Sequence, residues 1–106
     1  RCVAQTELES NFYTMYNLLL QHVRIPYFNI HPMPVQLNHR LCVEEDGGAQ
    51  LYEKDINNLV NGSSFHFVLL GAGYDGHTAS LFPGTKVEEY GESLVVLTDV
   101  SLFLMS

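Results

Sequence analysis

Positive charge is scarce in this chain. Five Lys and Arg stand against twelve Asp and Glu, a formal net charge of −7. A nucleic-acid surface needs clustered basic side chains, so nucleic acid is excluded as a partner. An anionic substrate would meet a repulsive mean field, and its binding would rest on a few local donors. Arg1, Arg24, Arg40, Lys54 and Lys86 are the only cationic candidates. Cysteine is sparser still. Cys2 and Cys42 form no C-x-x-C pair, which argues against a structural zinc site. They can bridge in an oxidising compartment or remain two buried thiols. The five histidines are scattered, without ligand spacing, so no metal is expected. No apolar run approaches the roughly 20 residues that cross a bilayer, so no membrane insertion is expected. The longest, near Phe65–Ala72, is short and interrupted by His66. The chain opens on Arg1 without a basic-then-apolar leader and ends soon after a strand-like run. It therefore reads as a piece of a longer protein.

What is present is a globular composition: 106 residues, 46% of them hydrophobic. Arg1–Val3 reads as the end of a strand. Ser10 is a good N-cap, and the spacing predicts a helix over about Asn11–His22. Phe12, Met15, Tyr16, Leu19 and Leu20 fall on one face of it. Pro26, Pro32 and Pro34 hold Ile25–Val35 extended, with at most a short strand at Asn29–His31. A second helix is expected from the acids Glu44–Asp46 to Val60, with Ala49, Tyr52, Ile56, Leu59 and Val60 on its buried face. Gly47 and Gly48 weaken its first turn by about 1 kcal/mol each, and Asn61–Gly62 stops it. Phe65–Leu70 is the best strand candidate, continuous enough to be buried on both faces. After it come a glycine loop, Gly71–Gly76, a short helical stretch ended by Pro83–Gly84, and a second strand at Leu94–Leu97. Strands alternating with helices imply an α/β layer fold with a mostly parallel sheet. Ligands then bind beyond the carboxyl ends of the strands, which singles out the loop after Leu70.

In that loop Asp75 and His77 flank Gly76, and Gly71 and Gly73 precede them. The glycines permit close backbone approach to a ligand. A carboxylate, an imidazole and the free N–H groups of a helix starting near Thr78 would suit general-base chemistry with oxyanion stabilisation. The plainer reading is a tight turn, with Asp75 capping the helix and His77 merely exposed. Gly71, Gly73 and Gly76 also match G-x-G-x-x-G literally, with Asp99 where a ribose-binding acid would sit. Against a dinucleotide, Asp75 puts negative charge where the pyrophosphate must lie, and Pro83 cuts the following helix short.

Gly71–Pro83, read as G-x-G-x-D-G-H-x-A-S-L-F-P, resembles the signature of the 6-phosphogluconolactonases, cousins of the glucosamine-6-phosphate deaminases. The ending Ala79–Pro83 resembles the lactonase branch; the deaminases carry an Asn-Glu-Pro-type ending. Arg1-Cys2-Val3 resembles the close of a D-E-R-x-V motif, Ser10-Asn11 its following S-N pair, and Ile25–Pro34 an Ile-His-Pro strand. The resemblance runs from Arg1 to about Thr98, as the central part of such a domain, and 99–106 reads as a divergent tail. It is strongest to the branch in which the lactonase is joined to a dehydrogenase domain in the endoplasmic reticulum.

The resemblance implies a Rossmann-like α/β fold, incomplete at both ends here, that hydrolyses 6-phosphoglucono-δ-lactone without a cofactor. His77 would be the general base and Asp75 its orienting carboxylate. Arg1, Asn11, Gly71, Gly73 and Gly76 would contact substrate, with Arg1 equally a terminal arginine without a fixed partner and the helix N1 role the favoured one for Asn11. An attached dehydrogenase domain and a lumenal address follow from the branch; an ordinary 6-phosphogluconolactonase would be cytoplasmic. Asn61-Gly62-Ser63 is an N-x-S glycosylation acceptor, which agrees with the lumenal address. The family's upstream Gly-Gly-Ser-type phosphate loop has no counterpart here. The second reading is thus a non-catalytic piece that at most binds sugar phosphates. His31 and His66 read as packed strand residues, and His22 and His39 as surface residues.

Overall fold

The structure, a computed structural model, describes residues 3–37, 40–41, 47–62 and 64–97. Arg1, Cys2, His39, Cys42, Glu44–Asp46, Ser63 and the tail 99–106 lie outside them. So do all but Val3 of the expected N-terminal strand end, and the acidic start of the second helix. The chain divides into two compact units, Arg1–Tyr52 and Glu53–Ser106.

The first unit contains α1, Asn11–Leu18. Ser10 caps it in an extended conformation, its hydroxyl accepting from the Tyr13 N–H at 3.4 Å. This satisfies one of the helix's orphan donors, as the sequence predicts. Ser10 is also buried, at 7% exposure. Phe12 and Tyr16, one turn apart, meet with ring centroids 5.9 Å apart. The helix is shorter than its apolar stripe suggests. Leu19 leaves helical geometry at φ −133°, and Leu20–His22 forms a separate 3₁₀ turn. Side-chain amides explain the early stop. Asn17 Nδ2 donates to the Tyr13 carbonyl at 2.8 Å, and Gln21 Nε2 donates to the Asn17 carbonyl at 2.6 Å. Such local polar contacts compete with the helical ladder.

The proline segment is irregular, and Asn29 belongs to a 3₁₀ turn, Tyr27–Asn29, rather than to a strand. Pro26 accounts for this: its carbonyl takes the Asn29 N–H at 2.9 Å, closing the turn. Two long-range bonds hold the segment: Gln5 Nε2 donates to the Met33 carbonyl at 3.2 Å, and Tyr52 Oη to the His31 carbonyl at 2.9 Å. The one sheet among the described residues is small and antiparallel: β1, Gln36–Leu37, pairs with β2, Arg40–Leu41.

Helix α2 spans Gly47–Val60 and ends at Asn61 and Gly62, which turn left-handed at φ 48° and 76°. That is the stop the Asn-Gly pair predicts. Gly48 has a packing role the sequence did not reveal. A Cβ there would overlap the Pro34 carbonyl oxygen, so the bare backbone admits the proline segment beside the helix.

The expected sheet of long buried strands is not present among the described residues. Phe65–Leu70 has no regular secondary structure, and Phe67 and Leu69 are 79% and 75% exposed. Leu94–Leu97 likewise pairs with no strand among the described residues, although the Leu94 N–H donates to Glu53 Oε1 at 3.3 Å. His66 is exposed rather than packed inside a strand. The physical reason is that a strand exists only where a neighbour takes its N–H and C=O groups. Apolar composition expresses a preference for such a place but does not supply the neighbour. No described hydrophobic residue is fully buried. The 106-residue chain alone is therefore expected to bind a hydrophobic dye and to lose structure gradually on heating. A sharp calorimetric transition above about 45–65 °C without dye binding would contradict this.

Candidate functional site

The loop after Leu70 lies in the second unit and folds back on itself twice. In the first turn the Gly73 N–H donates to the His77 carbonyl at 2.8 Å, and the Gly76 N–H to the Gly73 carbonyl at 3.0 Å. Gly76 has φ 89°, a conformation that favours glycine. In the second turn Thr78 and Leu81 exchange backbone hydrogen bonds at 3.3 and 2.9 Å, with Ala79 at φ 52°. The Thr78 hydroxyl donates to the Gly71 carbonyl at 2.9 Å and ties the two turns together.

These turns bring Asp75 and His77 together. Asp75 Oδ1 lies 2.5 Å from His77 Nδ1 and also accepts the His77 backbone N–H at 3.2 Å. The hydrogen bonds from His77 hold the Asp75 carboxyl below its ordinary value of 3.8. An ionised carboxylate has no proton to give, so Nδ1 carries the hydrogen and donates it. In a neutral ring with that proton on Nδ1 the lone pair lies on Nε2, which has no hydrogen-bond partner among the described residues. Phe82 stacks on the imidazole with centroids 4.6 Å apart and planes 28° apart.

A Cβ at Gly73 would overlap Nδ1 and Cε1 of His77 and crowd Asp75 Oδ1. Its bareness makes room for the imidazole. The expected helix near Thr78 is absent, because the left-handed Ala79 turns the chain instead. Its free N–H groups go with it. The N–H groups of Gly73, Gly76, His77 and Thr78 are all engaged within the loop. The G-x-G-x-x-G reading loses its context too: Gly76 is followed by a turn rather than a helix, and the described residues 64–70 directly before Gly71 form no paired strand. Asn11 occupies the first position of α1, in the other unit. Asn61 is exposed at the end of α2. Among the described residues no group of His, Cys, Asp and Glu could hold a metal ion. The Lys86–Glu89 pair, at 3.2 Å, is solvent-exposed and contributes little to stability.

The Asp75–His77 pair sits inside a longer sequence match. The sequence profile described as Glucosamine-6-phosphate isomerases/6-phosphogluconolactonase covers residues 1–102. The chain belongs to this family. It is 62% identical over 98 residues to the human GDH/6PGL endoplasmic bifunctional protein, covering 92% of this chain and 12% of that protein. The rabbit protein of the same name is 60% identical over 99 residues, 93% of this chain and again 12% of its own length. A 6-phosphogluconolactonase of Synechocystis is 39% identical over 83 residues, 74% of this chain and 32% of its own. The chain thus spans about an eighth of the bifunctional relatives' length. No solved structure matches it.

The pair makes a titration prediction. A depressed carboxylate pKa means the Asp75–His77 interaction is present above the ordinary carboxylate range and is lost as pH falls through the lowered value. The carboxyl carbon resonance of Asp75 should titrate with a midpoint below 3.8, and His77→Ala should return it toward that value. A wild-type midpoint at or above 3.8 would contradict the pairing.

Proposed function

We propose that this chain is the central part of a lactonase domain that hydrolyses 6-phosphoglucono-δ-lactone to 6-phosphogluconate. One observation carries the reading: the bond between Asp75 Oδ1 and His77 Nδ1, inside the segment that matches the family. The relatives named 6-phosphogluconolactonase support the substrate. The chemistry is consistent with the pair. Nε2 of His77 takes a proton from water as the water oxygen attacks the lactone carbonyl carbon. The tetrahedral intermediate collapses with loss of the bond to the ring oxygen, which receives the proton from Nε2. Asp75 keeps the ring in the tautomer that presents Nε2 and stabilises the imidazolium that forms between the two transfers. Hydrolysis of an ester is redox-neutral, so the reaction calls for no redox cofactor.

In the complete domain, Phe65–Leu70 and Leu94–Leu97 would take their places in a Rossmann-like, mostly parallel sheet, which would set the loop beyond a strand's carboxyl end. Their apolar composition supports this. Similarity to the bifunctional proteins supports an attached dehydrogenase domain and an endoplasmic address. Phosphate contacts would come from residues outside the loop, since Gly71–Pro83 contains no Lys or Arg.

The test is His77→Ala in the full-length enzyme. Losing a general base should lower lactone hydrolysis about 10²–10⁴-fold, or about 3–5 kcal/mol of barrier, with the circular dichroism spectrum unchanged. Asp75→Asn should cost no more than His77→Ala, because the imidazole remains but its Nδ1 is no longer fixed as the protonated nitrogen. Rates are compared after subtraction of spontaneous hydrolysis. Near-full activity in a folded His77→Ala enzyme would remove His77 from the reaction.

A further inference from the structure

We propose that Phe82 is a positioning residue for His77: its ring fixes the plane of the imidazole so that Nε2 faces the reacting water. The inference rests on the lactonase reading and deepens it. Asp75 holds His77 at a single ring atom, Nδ1. One hydrogen bond sets a distance and leaves the ring free to tilt about it. A flat contact on the ring face restricts that tilt, and Phe82 supplies one, with centroids 4.6 Å apart and planes 28° apart. That separation lies within the range in which aromatic rings attract one another.

Phe82 is itself held in place. Its N–H donates to Thr85 Oγ1 at 3.2 Å, and its carbonyl accepts the Thr85 N–H at 2.9 Å. The reciprocal bonds between Thr78 and Leu81 return the chain toward His77, so a residue five positions later meets the imidazole. Gly73 completes the arrangement, because a Cβ there would overlap the imidazole. The ring is thus bounded by a carboxylate at its edge, an aromatic on its face and a bare backbone beside it. Base catalysis depends on such restraint, since small misplacements of a catalytic group cost rate steeply.

The experiment uses the full-length enzyme with labelled histidine, as wild type, Phe82→Tyr, Phe82→Leu and Thr85→Val. Phe82→Leu should lower kcat about tenfold with KM nearly constant. It should also move the His77 ring C–H resonances downfield, because the ring current of the stacked phenyl is gone. Phe82→Tyr keeps the stack and should retain both the rate and the upfield resonances. Thr85→Val should fall between wild type and Phe82→Leu. If Phe82→Leu fails to fold, Phe82→Tyr and Thr85→Val decide by the same two readouts. The proposal is overturned if Phe82→Leu raises KM with kcat intact, if the His77 resonances do not move, or if Phe82→Tyr loses as much rate as Phe82→Leu. A wild-type enzyme without lactonase activity would instead sink the functional reading, while the resonance shift would still report the stack.

Discussion

The hydrogen bond from His77 Nδ1 to the Asp75 carboxylate is the interaction on which the candidate site depends. Each neighbouring feature of the loop serves it. Gly76 at φ 89° lets the two side chains turn toward each other across a single residue. Gly73 leaves the space that the imidazole fills. Thr78 and Leu81 close the turn that returns Phe82 to the ring face. Without the carboxylate, no side-chain contact among the described residues would hold the proton of a neutral His77 on Nδ1. With it, the proton sits on the inner nitrogen and the outer one is left to accept.

Much of this site was legible in the residues. Asp75-Gly76-His77 read as a carboxylate and an imidazole flanking a turn glycine, and the two side chains do meet. The Ser10 cap and the Asn61–Gly62 stop were equally legible, because each rests on a local backbone requirement that a single residue type meets. The helix after His77 was not. Ala79 and Ser80 carry no signal for a left-handed turn, since alanine is a strong helix former and only its neighbours' hydrogen bonds force it to φ 52°. That missed turn hid Phe82 as well. Five residues beyond His77 on a helix, Phe82 would point away from it; after a tight reversal it stacks on it.

The strands failed for another reason. Phe65–Leu70 has the composition of a strand buried on both faces, yet burial is a property of what surrounds it. Among the described residues nothing pairs with it, and it remains exposed. Among the described residues, local rules such as caps, turns and side-chain pairs are therefore satisfied, while the non-local pairing of a sheet is not. The same distinction separates the Asp75–His77 pair, which the loop builds from its own residues, from phosphate recognition, for which the loop holds no cation.

The central claim is that Asp75 fixes His77 as an imidazole protonated on Nδ1 with an accepting Nε2. The most direct measurement is the ring nitrogen-15 spectrum of His77 in the full-length enzyme, recorded where the ring is neutral. A pyrrole-like Nδ1 and a pyridine-like Nε2 are expected, with the assignment lost in Asp75→Asn. A pyridine-like Nδ1 and a pyrrole-like Nε2 in the wild type would contradict it, because the outer nitrogen would then hold the proton it is meant to accept.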